Sequence, residues 1–364
     1  MDASAERQSP RFGQLVIGPP GSGKSTYCFG MHQFLTALDR PISIINLDPA
    51  NDSLPYPCAV NISSLITLQD VMDEFGLGPN GAMLYCMEYL ERNLDWLEER
   101  IDELGRDAYV VFDVAGQVEL STNHMSLKRI VERLGKRDFR LAAVHLTDAH
   151  YVTDPSKYIS VLLLSLRTML QLELPHVNVL SKVDLITSYG DLPFNLDYYT
   201  EVQDLSYLSH DLDRMPHGKK FAQLNKAICE LIEDFGLVGF ETLCVEDKTS
   251  MTRLLRTLDK ATGYVYAPST PIGAPPAPPQ ARSLFSAAAR TAGPGNAVGF
   301  GEVGDVQERW VDHPEVYDAW DKKVWREEGE EVRRQEAVAA AAAAAGTNTV
   351  GGEMGEDEGV VMHD

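Results

Sequence analysis

Up to Pro268 the chain repeats one pattern: a short apolar run, a polar or glycine-rich turn, then a stretch whose apolar residues fall three and four apart. The apolar runs Gln14–Ile17, Ile42–Leu47, Tyr109–Phe112, Leu141–Thr147, His176–Leu180 and Glu241–Val245 predict strands. Tyr109–Phe112 has no strongly polar position, as expected where a parallel sheet is covered on both faces. Leu68, Val71, Met72 and Phe75 share one helical face, and Met83, Met87, Leu90, Leu94, Leu97, Ile101 and Leu104 make a longer stripe that closes at Gly105. Such a stripe reads first as core and second as a subunit contact. Later helical faces carry Ile159, Leu162, Leu163, Leu166 and Leu170, then Phe221, Leu224, Ile228, Leu231, Ile232 and Phe235. A last helix passes through Leu254 and Leu258 and ends near Gly263. Strands alternating with helices predict an α/β fold in three layers, a doubly wound and mostly parallel sheet with helical insertions.

At Pro268 the pattern stops. Residues 1–11 read as a polar lead-in, 12–266 as one domain, 267–300 as a Pro/Ala/Gly-rich linker, and 301–364 as an acidic, largely disordered tail. Residues 281–364 hold 17 acidic against 8 basic residues and an alanine run from Ala339 to Ala345, so no independent core is expected there. Yet Trp310, Trp320 and Trp325 cluster in this tail, and Val316, Tyr317, Trp320 and Val324 share a helical face. One reading is a short helix over 310–336 that folds onto a partner or back onto the domain; the other is a plain solvated tail.

A formal net charge of −22 argues against sequence-independent binding to nucleic acid or to an anionic membrane, both of which need a basic face. Cys28, Cys58, Cys86, Cys229 and Cys244 are scattered and never form C-x-x-C, which indicates neither a disulfide framework nor a zinc site. The polar N-terminus, and the lack of any apolar run near the roughly 18 residues a spanning helix needs, predict no export or membrane segment. A cytoplasmic or nuclear location is expected.

The chemistry is concentrated at the predicted strand ends. The first strand enters Gly18-Pro19-Pro20-Gly21-Ser22-Gly23-Lys24-Ser25-Thr26, which meets G-x-x-x-x-G-K-[ST] at every defined position. A polyphosphate has to be wrapped by backbone N–H groups, and Gly18, Gly21 and Gly23 let the backbone come close. Lys24 would reach the β- and γ-phosphates, Ser25 would ligate Mg²⁺, and a helix opening at Thr26 would aim its dipole at the anion. Asp48 closes the second strand, either near the metal or the attacking water or as a simple turn aspartate. Asp113 opens D-x-x-G-Q with Gly116 and Gln117, the place for a carboxylate holding Mg²⁺ and a loop that senses the γ-phosphate. Ser181-Lys182-Val183-Asp184 is close to N-K-x-D, in which the aspartate accepts hydrogen bonds from guanine N1–H and the N2 amine while the lysine stem covers the ring. Adenine lacks that donor pair. The expectation is a P-loop NTPase that prefers GTP.

In this order, Gly18 to Thr26, Asn46-Leu47-Asp48-Pro49-Ala50-Asn51, Leu77-Gly78-Pro79-Asn80-Gly81, Asp113-x-x-Gly116-Gln117-Val118-Glu119 and Leu180-Ser181-Lys182-x-Asp184 resemble the GPN-loop GTPases over roughly residues 12 to 266. Within that family, Cys58-Ala59-Val60, Leu84 to Leu90 and Phe194 to Tyr199 are most like the second eukaryotic paralogue. The resemblance implies a homodimer, or a heterodimer with paralogues, in which the Gly78-Pro79-Asn80 loop of one subunit reaches the phosphates bound by the other. It also implies hydrolysis of GTP to GDP with Mg²⁺, partners among RNA polymerase II subunits or their assembly factors, and passage between cytoplasm and nucleus. Spacing alone offers only a tight turn set by Gly and Pro, with the Asn80 amide able to donate to a phosphate oxygen; a helix-terminating turn is the simpler reading of those residues.

Two positions depart from the family. Ala115 stands where many members have proline, and Ser181 replaces the asparagine of N-K-x-D, which is expected to weaken a contact that braces the P-loop. The resulting assignments are Ser25, Asp48 and Asp113 for metal, and Asp48, Gln117 and Glu119 for the attacking water, with Asn80 acting in trans. Residues Gly18 to Thr26, Gly78 to Asn80, Ser181, Lys182 and Asp184 are assigned to nucleotide. No arginine finger is evident, so turnover is expected to be slow. The rivals are a Ras-like switch, an ATP-dependent kinase or ATPase, and a scaffold whose nucleotide only holds a dimer together.

Overall fold

The fully buried strand β1 (Arg11–Ile17) runs into a glycine loop and then into helix α1 (Lys24–Ala37). These come from a computed structural model that describes residues 10–264 except 52, 191, 203 and 215–217, together with 306–312, 314, 315, 317, 322, 323 and 326. The chain divides into two compact units, Met1–Val311 and Asp312–Asp364, and the fold is that of the first.

After α1 come β2 (Ile42–Asn46), a short β3 (Cys58–Asn61) and α2 (Leu68–Phe75). Thr67 caps α2 by accepting from Asp70 N, and Gly76, at φ 63°, ends it. Helix α3 (Pro79–Arg92) starts on the G-P-N triplet itself, with Gly78 as its N-cap and Pro79 in its first turn. Thus the triplet both closes one helix and opens the next. The long stripe predicted from Met83 to Leu104 is two helices, α3 and α4 (Leu94–Glu103), because Asn93 leaves the helical conformation at φ −113° and ψ 37°, its side chain donating to Tyr89 O at 2.8 Å. Its Met83, Met87, Leu90, Leu97 and Ile101 are buried, as the core reading requires.

Then follow β4 (Tyr109–Asp113), α5 (Val118–Thr122), α6 (Met125–Gly135), β5 (Phe139–Asp148) and α7 (Pro155–Leu172). The first unit continues with β6 (His176–Ser181), α8 (Ile186–Tyr189), α9 (Leu196–Glu201), α10 (Ser206–Arg214), α11 (Gly218–Phe235), β7 (Phe240–Leu243) and α12 (Lys248–Thr262). Two helical faces are only partly covered. Leu170 on α7 is exposed, and on α11 the buried side is Cys229 and Ile232, while Phe221, Leu224, Leu231 and Phe235 are exposed.

The sheet has the order β3-β2-β4-β1-β5-β6-β7, and every strand pair in it is parallel. Edge strand β3 was not predicted; its four residues are too few to show a period. Alternate residues feed opposite faces: Leu15, Ile17, Val110 and Phe112 pack with α3, α4 and α6, while Phe12, Val16, Tyr109 and Val111 pack with α1 and α12. A further core joins α7, α9 and α11, and Val306, Trp310 and Val311 pack into it, so this part of the tail folds back onto the domain. The linker 267–300, Val316, Trp320, Val324 and Trp325 lie outside the described residues. The chain crosses to β2, β3 and β4 on one side of β1 and to β5, β6 and β7 on the other, so the loop after β1 sits at the point where a ligand crevice opens.

His145 on β5 and His176 on β6 meet edge to face, 5.7 Å between centroids. Burial pushes His145 down to about 4 and His176 to about 3. Both stay neutral in the folded chain while an unfolded histidine takes up a proton near 6.5, so their contribution to stability is full above about pH 6.5 and is lost as pH falls toward about 4. The double variant His145→Gln/His176→Gln is expected to show a shallower fall in urea midpoint between pH 7 and pH 5 than the wild type. An equal fall in both proteins would contradict this.

Candidate functional site

Because the strands are all parallel, Gly18, Asn46, Asp113, Asp148, Ser181 and Leu243 reach the same sheet edge. Gly18, Gly21 and Gly23 have φ of 145°, 78° and 89°, and Gly23 is the N-cap of α1, which begins at Lys24 rather than Thr26. A Cβ on Gly18 would lie 2.2 Å from Leu146 O, so only glycine fits there.

Lys24 is buried, and its Nζ donates to Gly18 O at 3.1 Å and Pro19 O at 3.2 Å. Burial lowers its pKa, against the pull of Asp113 and Asp48. Asp113 Oδ2 accepts from Ser25 Oγ at 3.0 Å and from Tyr56 OH at 2.7 Å, while its buried Oδ1 has no partner among the described residues. Burial pushes the Asp113 carboxyl up, opposed by Tyr56, Ser25 and Lys24. An inward cation, a neighbouring hydroxyl and a carboxylate with an unpartnered oxygen could together hold a phosphate and a hard divalent cation. Gly116 belongs to it as well: a Cβ there would come within 2.7 Å of Lys24 Nζ and 3.2 Å of Pro20 Cα.

At the other end of the loop, Ser181 Oγ lies 2.8 Å from Ser22 O and 3.1 Å from Thr147 O. Lys182, held at φ 60°, donates from Nζ to Gly21 O at 2.7 Å and to Asp148 Oδ2 at 2.6 Å. Ser181 thus keeps a contact with the loop, its hydroxyl reaching Ser22 O from the end of a buried strand. Asp184 is half-buried beyond Lys182, with the Cys244 thiol against it. Burial, and next the Asp184 charge, push that thiol up to about 12.

The proposed water-orienting residues separate. Asp48 Oδ1 accepts from Ala50 N at 2.9 Å, which is the turn role, and it also feels the Lys24 charge. Gln117, the N-cap of α5, donates from Nε2 to Asn80 Oδ1 at 2.8 Å within one chain, and Glu119 is exposed in the first turn of α5. Gly78, Pro79, Asn80 and Phe75 are exposed. Three contributors escaped the sequence: Tyr56, in an irregular stretch with no motif; Cys244, brought to Asp184 only by the fold; and Asp148, visible as a strand-end carboxylate but given no role.

The family described as "Conserved hypothetical ATP binding protein" matches residues 16–264. Similar proteins include GPN-loop GTPase 2 of Danio rerio, 59% identical over 72% of this chain and 84% of that protein. GPN-loop GTPase QQT1 of Arabidopsis thaliana is 58% identical over 70% and 86%, and GPN-loop GTPase 2 of Schizosaccharomyces pombe is 49% identical over 85% and 94%. The chain belongs to the GPN-loop GTPase family. Among solved structures, a GTPase in apo form from Pyrococcus abyssi matches with a TM-score of 0.56 and 22% identity over 69% of this chain and 97% of that one, a likeness of fold. Against the family's N-K-x-D pattern, the serine at position 181 keeps one hydrogen bond to the loop, since a hydroxyl has a single proton to donate. Ser181→Ala is expected to cost about 1 kcal/mol of stability, the worth of a buried neutral hydrogen bond, measured by urea unfolding without nucleotide. An unchanged midpoint would show that Ser181 does not brace the loop.

Proposed function

We propose that this chain binds GTP with Mg²⁺ and hydrolyses it slowly to GDP. The observation that carries the reading is the double fastening of the phosphate loop, by Lys24 at its catalytic end and by Ser181 and Lys182 from the base-reading strand. Phosphate oxygens would replace the carbonyls that Lys24 now holds, and the loop amides would surround them. Ser25 and Asp113 would hold Mg²⁺, a fit supported by the unpartnered Asp113 Oδ1 beside the Ser25 hydroxyl. The ion would neutralise charge on the transferring phosphoryl group. Gln117, held by Asn80, is the first choice for orienting water; Asp48 and Glu119 are the others.

Asp184 and Lys182 favour guanine, although the matched family's description speaks of ATP. The exposed Gly78-Pro79-Asn80 turn and exposed Phe75 suit the dimer in which that loop serves a partner's phosphates, with homodimer and paralogue heterodimer both compatible. A role with RNA polymerase II subunits or assembly factors, in assembly and nuclear import, in the cytoplasm with passage to the nucleus, is carried over from the family resemblance.

Binding of GTP, ATP and XTP by the wild type and Asp184→Asn tests the base assignment. The wild type is expected to prefer GTP over ATP by at least tenfold, the equivalent of about 1.4 kcal/mol, and the variant to shift toward XTP. Equal binding of ATP and GTP by the wild type would remove the guanine assignment.

A further inference from the structure

Residues Val306–Val311 pack against the domain close to the loop that follows β7. Val306 is buried in the core formed by α7, α9 and α11, with Trp310 and Val311 packed against it. Gln307 Oε1 accepts from Leu196 N at 2.8 Å, satisfying a first-turn N–H of α9. Arg309 lies with its guanidinium 4.8 Å from the Trp310 ring and an Nη 3.2 Å from Asp247 Oδ1, their side chains 24% and 14% exposed. Hydrophobic anchoring and a largely covered ion pair together fix where this segment lies.

Asp247 has a second task. It is the N-cap of α12, accepting from Thr249 N at 3.2 Å and Ser250 N at 3.0 Å. Ser250 Oγ accepts from Cys244 N at 3.0 Å and donates to Thr242 O at 3.2 Å. Cys244 follows β7 directly and sets its thiol against Asp184. Hydrogen bonds thus run from Arg309 through Asp247 and Ser250 to the backbone of Cys244, and Leu243 beside it pairs with Ser181, three residues before Asp184.

We infer that Val306–Val311 is a built-in strap that positions the base-reading end of the nucleotide site, with Arg309 and Asp247 as positioning residues for Asp184. The inference rests on the guanine reading of Asp184 proposed above. Freed of Arg309, the loop after β7 keeps its helix cap but loses its outer tether, and Cys244 no longer holds one place beside the aspartate. Guanine recognition weakens while the phosphate contacts, which come from Lys24, Ser25 and the glycine loop, stay as they are. The strap therefore acts on selectivity rather than on phosphate binding.

The test uses the full chain as wild type, Arg309→Ala, Arg309→Lys and Asp247→Asn, the last retaining a good N-cap while removing the charge. Dissociation constants for GDP and ADP are measured with Mg²⁺, alongside melting temperatures without nucleotide. Arg309→Ala and Asp247→Asn are each expected to weaken GDP by about three- to tenfold with ADP unchanged within about twofold, about 1 kcal/mol of differential binding, and to leave melting without nucleotide within about 2 °C. Arg309→Lys is expected to restore most of the GDP affinity, and the double variant Arg309→Ala/Asp247→Asn to lose no more than either single one. Unchanged GDP affinity in both single variants overturns the inference, as does an equal loss of GDP and ADP affinity accompanied by lowered melting, which marks a merely structural contact. A wild type that binds no guanine nucleotide overturns the proposed function and the inference with it; a wild type that binds GDP with unaffected variants overturns the inference alone.

Discussion

The site depends on the carbonyl oxygens of one glycine loop being held by side chains from outside it. Lys24 takes those of Gly18 and Pro19, Lys182 that of Gly21, and Ser181 that of Ser22. With the Gly21 and Ser22 carbonyls held from β6, the loop's N–H groups are left for an anion, and the left-handed glycines make this curvature possible without steric cost; the Lys24 contacts are those a phosphate would replace. The fastening residues come from α1 and from the end of β6, so the shape of the loop depends on β1 and β6 each lying beside β5 in the parallel sheet. Burial on both faces of that sheet keeps the two ends of the crevice in fixed relation.

Electrostatics set the direction of binding. Lys24 and Asp113 are both buried, and each carries a pKa moved by burial toward its neutral form. A phosphate for the lysine and a divalent cation for the carboxylate would add to the charges that each now finds chiefly in the other, and would make the folded site more stable when loaded than when bare. The opposite end needs no such compensation, because Lys182 already pairs with Asp148. One end of the crevice is therefore poised for ligand charge, and the other for the shape and donors of a base.

The parts of the fold carried by local pattern were legible from the chain. Six of the seven strands, the two helices flanking the G-P-N turn, and the motif residues at the strand ends all follow from periodicity and spacing. What was not legible depended on distance. Asn93 breaks a stripe that heptad-like spacing ran straight through, and the apolar positions of α11 gave its helical period but not which side its neighbours would cover. That the Ser181 hydroxyl keeps a contact with the loop was not legible either, because reach cannot be read from residue type. Tyr56 to Asp113, Cys244 to Asp184 and Arg309 to Asp247 join residues 57 to 62 positions apart, and none belongs to a motif with fixed spacing. The tryptophans of the tail did signal that something there would pack, and Trp310 does.

The most direct test of the central claim, a guanine nucleotide site completed by ligand charge, is thermal unfolding of the full chain alone, with Mg²⁺ and GDP, and with Mg²⁺ and ADP. At a ligand concentration about a hundred times the dissociation constant, binding adds about 2.7 kcal/mol. For a domain of this size that corresponds to a rise of roughly 5–10 °C with GDP and a much smaller one with ADP. No rise with GDP, or the same rise with ADP, would contradict the account.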